Sequence, residues 1–378
     1  MSTGAATSGA PTAGPAAAGA PGVGAGSHTA AGAGLGFGSS SSGGQGARRG
    51  LRVGVLGGAG LLLLVAVVLS IAVGTRSLSP GTVFDAVFHY DHSPDESIVR
   101  QLRLPRTFLG LASGAALGLA GALMQTLTRN PLADPGLLGV TAGAAAAIVA
   151  AAAFAGVTSP AGYMWFAMAG AGLLAGLSYR LGSSRRAGSG PERLILAGMA
   201  LTATLTAFTT IVILLRPAAF DRFRSWSVGS LSGREVGVLW QVLPFIVVGV
   251  VIAFAVGRPL GALTLGEDTA RALGFHAGRT RLATAAAITL LCGAATAAVG
   301  PISFIGLIVP HIARRVTGPD VRMLCALCTL IAPILLLTAD VVGRLVVSPA
   351  ELEVGVVTAF LGAPVFLILA RNPRVGRL

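Results

Sequence analysis

Lysine is absent from the 378 residues, so all 27 basic side chains are arginine. A phosphate-binding P-loop uses its lysine to reach the β- and γ-phosphates. The chain therefore carries no standard ATP motor, and a step driven by ATP would need a partner ATPase. Charge of either sign is scarce, at 11% of residues against 53% hydrophobic, with mean hydropathy +0.80. That balance excludes an ordinary soluble globule and indicates a polytopic membrane protein. Cysteine is nearly absent too. Cys292, Cys325 and Cys328 all lie in apolar runs. Cys325 and Cys328 have the C-x-x-C spacing, but no histidine or second pair stands nearby, so they read as small buried residues and not as a zinc or redox site. No metal-ligand cluster and no nucleophile–base set appears, which argues against an enzyme. No cofactor is expected on this chain.

Glycine is abundant, at 54 residues, many inside apolar runs where small residues let membrane helices approach closely. Residues 1–47 are Gly, Ala, Ser, Thr and Pro without Asp, Glu, Lys or Arg. This is low-complexity sequence with too little apolar surface to pack, and it reads as a disordered tail. Residues 48–378 read as one all-α membrane domain of about ten spans, at 53–74, 106–128, 136–156, 161–182, 192–215, 239–257, 279–299, 302–315, 321–343 and 354–370. With the N-terminus inside, the inner segments hold 18 arginines and five acids, and the outer segments nine of each. The net charge is +13 inside and zero outside, so both termini are expected in the cytoplasm of a plasma-membrane protein. The basic excess therefore reports topology and does not point to nucleic acid.

The stretch Leu263–Arg281 stands out because long uncharged runs flank it on both sides. It reads as a short helix at the inner surface. Thr264 and Glu267 have the spacing of a capping box, and Glu267 and Asp268 suit the first turn of a helix dipole. Glu267 and Arg271 form an i,i+4 pair, and Gly274 is a natural stop. Leu265, Thr269, Ala272 and Leu273 share one face. Such a segment is either a lever for a soluble partner or a capped connector.

Other stretches carry chemistry of their own. Arg103-Leu-Pro-Arg106 presents two cations across an X-Pro step at an outer span end. Asn130-Pro131 and Asp134-Pro135 favour a tight inner turn. Asp340 and Arg344 form an i,i+4 pair at another outer end, read as a salt bridge or as a partner contact. His311 lacks a second ligand and reads as a packing or interfacial residue. Gly114-Ala-Ala with Gly121 recurs as Gly293-Ala-Ala with Gly300, each followed by a proline ten residues on, at Pro131 and Pro310. The two copies are predicted to run in opposite directions, as in an inverted repeat.

Five stretches in order resemble the permease subunit of binding-protein-dependent ATP-binding-cassette importers for iron–siderophores, haem and cobalamin. They are R-L-P-R, M-Q to N-P-L-A-D-P-G-L-L-G-V, L-G-E-D-T-A-R-A-L-G, F-I-G-L-I-V-P-H-I-A-R, and E-L-E-V-G-V-V-T-A-F-L-G-A-P. The resemblance covers about residues 53–372, and the long tail departs from the usual short N-terminus. It implies a ten-span subunit paired with a second permease copy or a paralogue, carrying a ferric siderophore or similar chelate. It implies ATPase subunits docked on a coupling helix made by Leu265, Gly266, Glu267, Asp268, Ala270, Arg271, Leu273 and Gly274. It also implies an extracytoplasmic binding protein whose acids meet Arg103 and Arg344, with Arg106 beside them. The rival reading is an ion-coupled secondary transporter, for which Asp340 is the one candidate coupling carboxylate.

Overall fold

A computed structural model of the protein describes residues 42–74, 78–88, 93–157, 159–182, 191–234, 236–347 and 350–371. The chain divides into two units, 1–47 and 48–378. Most of the tail expected to be disordered lies outside the described residues, but helix α1, Ser42–Ala72, begins inside its predicted range. The other helices are α2 Pro80–Phe88, α3 Pro94–Ile98, α4 Leu104–Thr128, α5 Val140–Phe154, α6 Pro160–Gly182, α7 Pro191–Leu215, α8 Pro217–Ser227, α9 Val236–Thr264, α10 Glu267–Ala272, α11 Ala277–Val299, α12 Ile305–Thr317, α13 Val321–Val346 and α14 Val354–Arg371. Proline opens five of them, where its missing N–H is no loss and its fixed φ suits the first turn.

Ten of these helices fall on the ten predicted spans, but they are not equal. Among the described residues, seven regions are long and apolar enough to cross a membrane, containing α1, α4, α6, α7, α9, α11 and α13. Helices α5 and α12 have 15 and 13 residues. Helix α5 is short because Asp134 ends the preceding segment. Its carboxylate accepts from the Gly136 N–H at 2.7 Å, a 3-10 turn takes Pro135–Leu138, and Gly139 turns left-handed at φ 81°. Helix α12 is short because Gly300, at φ 82°, ends α11, and Phe304 begins α12 at φ 70°.

Helix α4 is the axis of the packing, touching α9, α11, α12 and α13. Its middle is buried throughout, from Ala116 to Met124. At Gly121 a Cβ would overlap the Gly306 carbonyl of α12, so glycine is what lets the two backbones meet. Gly143 of α5 and Gly170 of α6 make the same close approach to one another. Polar side chains then join helices that no hydrophobic force distinguishes from lipid. Gln125 donates to the Leu307 carbonyl at 3.1 Å, Ser178 to that of Leu138 at 3.0 Å, and the Trp226 indole to that of Thr296 at 3.2 Å. Helices α4 and α11 do run in opposite senses, but their matched glycines differ in use. Gly114 packs on Pro333, whereas Gly293 faces Ala171. The three cysteines are buried and form no disulfide.

Candidate functional sites

At one end of the bundle the chain leaves α9 and turns sharply. Gly266, at φ 120°, breaks the helix, and the six residues of α10 follow. The capping box expected from Thr264 and Glu267 does not form. Thr264 is the last residue of α9, and its hydroxyl donates back to the Gly261 carbonyl at 2.7 Å. The residue before α10 is Gly266, which has no side chain to cap it. Glu267 is held otherwise, between Arg271 at 3.1 Å and Arg281 of α11 at 2.5 Å, while Asp268 meets Arg271 at 3.0 Å. The stop at Gly274 is as expected. The Phe275 N–H bonds to the Ala270 carbonyl and the Gly274 N–H to that of Arg271, with Gly274 at φ 82°. That pattern is a Schellman motif, closed by Phe275 packing near Ala270.

Ala270 is fully buried against Ala262 and Leu263, and it fixes which face of α10 looks inward. The four residues placed on one face by the sequence, Leu265, Thr269, Ala272 and Leu273, all look outward. Leu265 is 72% exposed and Leu273 59%. A short helix that is pinned by one alanine and by one ion pair to α11 thus displays an uncovered apolar face. Two arginines that the sequence reading passed over as sites complete the anchorage. Arg281 ties α10 to α11, and Arg129 donates to the Leu263 carbonyl near the end of α9. Arg129 sits in left-handed backbone at φ 53° after α4, closing it with the same two-bond motif that closes α10. A side chain with a Cβ is disfavoured there, and its guanidinium bond to a helix-terminal carbonyl offsets the cost.

At the other end lie Arg103, Arg106 and Arg344. The Leu-Pro step between the first two is helical, with Leu104 at φ −63° and ψ −50°, although the residue before proline ordinarily disfavours that conformation. A π-helical turn, Val99–Arg103, precedes Pro105 and carries the chain unbroken into α4. Arg103 and Arg344 point inward. Arg103 donates to the Ile71 and Ala72 carbonyls at 2.9 and 2.7 Å. Arg344 donates to those of Ser70 and Val73 at 2.8 and 2.7 Å. The last carbonyls of α1 have no helical donor and must be satisfied from outside, and the two arginines do so. Both are buried, at 5% and 2% exposure. Their expected role as contacts for a partner's acids therefore meets a prior engagement inside the fold.

Arg106 faces the fully buried Asp340, with its Nε and Nη2 2.8–3.1 Å from the carboxylate, and reaches Glu351 at 2.7 Å. Asp340 also takes Arg344 at 2.7 Å, the predicted i,i+4 pair. Burial alone would raise the Glu351 carboxyl, but the hydrogen bond and charge of Arg106 outweigh it and hold the group below its usual range. Above the cluster opens a cavity of about 390 Å³ lined by Arg103, Arg106, Arg234, Arg344 and Glu351. Arg234 is the cation missed from sequence. It lies on the loop between α8 and α9, donates a weak bond to the Ser230 carbonyl at 3.4 Å and feels the charge of Glu353.

Residues 62–372 match the FecCD transport family. The chain belongs to that family. It is 49% identical over 317 residues to the ferric enterobactin transport system permease protein FepD of Escherichia coli, covering 84% of this chain and 94% of the relative. It is 38% identical to a siderophore transport system permease protein, YfiZ, of Bacillus subtilis, over 82% and 93% of the two chains. A solved metal-chelate type ABC transporter in an inward-facing conformation superposes with a TM-score of 0.74 at 27% identity, covering 84% of this chain and 98% of that one. As a FecCD permease the chain is a multi-pass membrane transport subunit and not an enzyme. His311, in the fourth of the resembling stretches, lies 3.4 Å from Arg315.

Proposed function

We propose that this FecCD permease carries a ferric siderophore into the cytoplasm, driven by ATP that a partner ATPase hydrolyses. Its 49% identity to the ferric enterobactin permease over 94% of that protein's length is the observation that carries this reading. The chain crosses the membrane ten times, with both termini inside. Seven long apolar helices, two shorter apolar ones and the 13-residue α12 at the remaining predicted positions, and the +13 charge bias support that count and orientation. Helix α10 then lies on the cytoplasmic face. Its exposed Leu265 and Leu273 offer an apolar foothold for an ATPase, and Glu267, Asp268 and Arg271 frame it. An extracytoplasmic binding protein sits over the opposite end, above Arg103, Arg106, Arg234 and Arg344. A second permease copy or a paralogue completes the path.

The ion-coupled alternative needs a carboxylate free to change its protonation. Asp340 is instead engaged on both sides by arginine, Arg106 at 2.8 Å and Arg344 at 2.7 Å, and is not a free carboxylate. Uptake of labelled ferric siderophores, haem and cobalamin by a deletion strain complemented with this chain tests the proposal. Ferric siderophore accumulation that stops with vanadate is the expected result. Accumulation of haem or cobalamin alone, or uptake that resists vanadate but stops with a protonophore, would overturn it.

A further inference from the structure

A groove of about 820 Å³ opens sideways between α6 and α11, within the size range of small-ligand sites. Its walls are apolar. Leu173 and Leu177 stand on α6, and Leu282, Ala286 and Leu290 on α11. Leu173 is 75% exposed and Leu282 54%. Gly172 and Gly176, one turn apart on α6, leave the hollow between them. A Cβ added at either would meet no atom within 4 Å. This is the reverse of Gly143 and Gly170, where a Cβ would run into backbone. Glycine inside a helix costs about 1 kcal/mol relative to alanine. At 172 and 176 no helix–helix approach offsets that cost, and what the two glycines create is empty volume.

One end of the groove is charged. Tyr179 and the exposed Arg180 close it, in the last turns of α6. Arg281 lies near enough to act electrostatically on Tyr179, which puts this end beside α10. An occupant must therefore be apolar along its length and anionic at one end. It must also arrive from the side, where two membrane-crossing helices face lipid. We propose that the groove holds an acyl chain of an anionic phospholipid, with the Arg180 guanidinium on its phosphate. Guanidinium matches phosphate with paired hydrogen bonds, and basic hollows between membrane helices on the cytoplasmic side attract anionic headgroups. Placing the lipid in the inner leaflet rests on the cytoplasmic assignment of α10; binding itself does not. The lipid lies against α11, the helix that Arg281 ties to α10, so its occupancy bears on the element proposed to dock the ATPase.

Native mass spectrometry of the full-length permease tests this, with phosphatidylglycerol and phosphatidylcholine as probes. The wild type should retain one phosphatidylglycerol at collision energies that strip phosphatidylcholine. Gly176→Leu fills the groove and should cut the retained fraction at least tenfold. Arg180→Gln should abolish the preference between the two lipids. Ala286→Phe, from the facing wall, gives the same test if Gly176→Leu does not fold. Equal retention of both lipids by the wild type overturns the proposal. So does unchanged retention in the filled variants, or a Leu177→Cys side chain that cross-links to a second protein chain. The readout does not depend on which chelate is carried, so its failure leaves the importer reading standing.

Discussion

Arg344 on α13 donates to the Ser70 carbonyl of α1 at 2.8 Å, across 274 positions of sequence, while its other nitrogen holds Asp340 at 2.7 Å. One guanidinium thus fastens the first membrane helix to the core. The fastening matters because α1 buries little else: only 17% of its apolar window is covered. At the opposite end an exposed ion pair joins it to the bundle, Arg52 with Asp320 at 3.1 Å, and such pairs contribute about 0–1 kcal/mol. The seating of α1 therefore depends on the arginine cluster.

Asp340→Ala should be severely destabilising. It leaves the Arg106 and Arg344 guanidiniums facing one another without their shared carboxylate, and breaking a buried pair costs roughly 3–5 kcal/mol. Thermal unfolding followed by size-exclusion chromatography should show a markedly lower midpoint and less monodisperse protein. An unchanged midpoint would mean that the cluster does not hold α1.

Leu265→Ser with Leu273→Ser should leave the permease folded but remove its foothold for the ATPase. Both side chains are exposed, so the fold loses almost nothing by the change. An apolar anchor at the centre of an interface commonly contributes 2 kcal/mol or more, which is at least tenfold in affinity. Co-purification of the ATPase and uptake should fall together. Normal ATPase capture by the double variant would reduce α10 to a connector.

Arg281→Gln should separate docking from transmission. It cuts the 2.5 Å contact from Glu267 to α11 but leaves Glu267 its bond to Arg271 and the outward face of α10 intact. ATPase affinity should stay within about threefold, in keeping with the small energy of a partly exposed pair. Uptake per ATP hydrolysed should drop. A proportional loss of both, with the ratio constant, would show that Arg281 has no part in transmission.

Much of this was legible in the chain before the fold. The apolar runs place eight of the ten helices to within about four residues, because membrane helices satisfy their own backbone and need only length and composition; α1 starts eleven residues before its predicted span and α9 ends seven beyond its own. The α10 segment was legible as well, through its acids, Gly274 and its charge contrast with the flanking runs. Its cap was misread because Thr264 has the right spacing but belongs to α9. Spacing does not report where the preceding helix ends, and Gly266 set that point. The burial of Arg103 and Arg344 was not legible either. Their partners are backbone carbonyls of a distant helix, which have no side-chain signature. Arg129 and Arg281 lay in stretches already singled out, but their roles depend on carbonyl and carboxylate positions that only the packed helices define.

The Arg106–Glu351 contact should resist acid. Because Glu351 is held below the usual carboxylate range, its contribution to stability is fully present above that range and fades only as pH falls through the lowered value. Glu351→Gln should therefore shift the thermal midpoint by the same amount at pH 7 and pH 5. A difference that disappears by pH 5 would show that Arg106 does not hold the carboxylate in its ionised form.

Docking of the external binding protein should depend most cleanly on Arg234. Four arginines line the cavity above Asp340, but they are not equally free to meet a partner's acids. Arg103 and Arg344 already serve the end of α1, and Arg106 already serves Asp340 and Glu351. Among the described residues Arg234 has a 3.4 Å bond to the Ser230 carbonyl and the charge of Glu353 nearby, but no short ion pair. Truncating one partner of a buried interfacial charge pair costs about 2–5 kcal/mol of binding, so Arg234→Glu should weaken capture of the loaded binding protein at least tenfold. The amount of folded permease should not change. Arg103→Glu should behave differently. Its carboxylate would face the Ile71 and Ala72 carbonyls, leaving acceptor against acceptor at the end of α1, so inserted protein should fall before affinity per molecule is considered. Titrating the binding protein against each purified variant in nanodiscs, normalised to folded permease, separates the two effects. Full affinity in Arg234→Glu, together with a tenfold loss per folded molecule in Arg103→Glu, would return the docking role to Arg103 and require its bonds to α1 to open on binding.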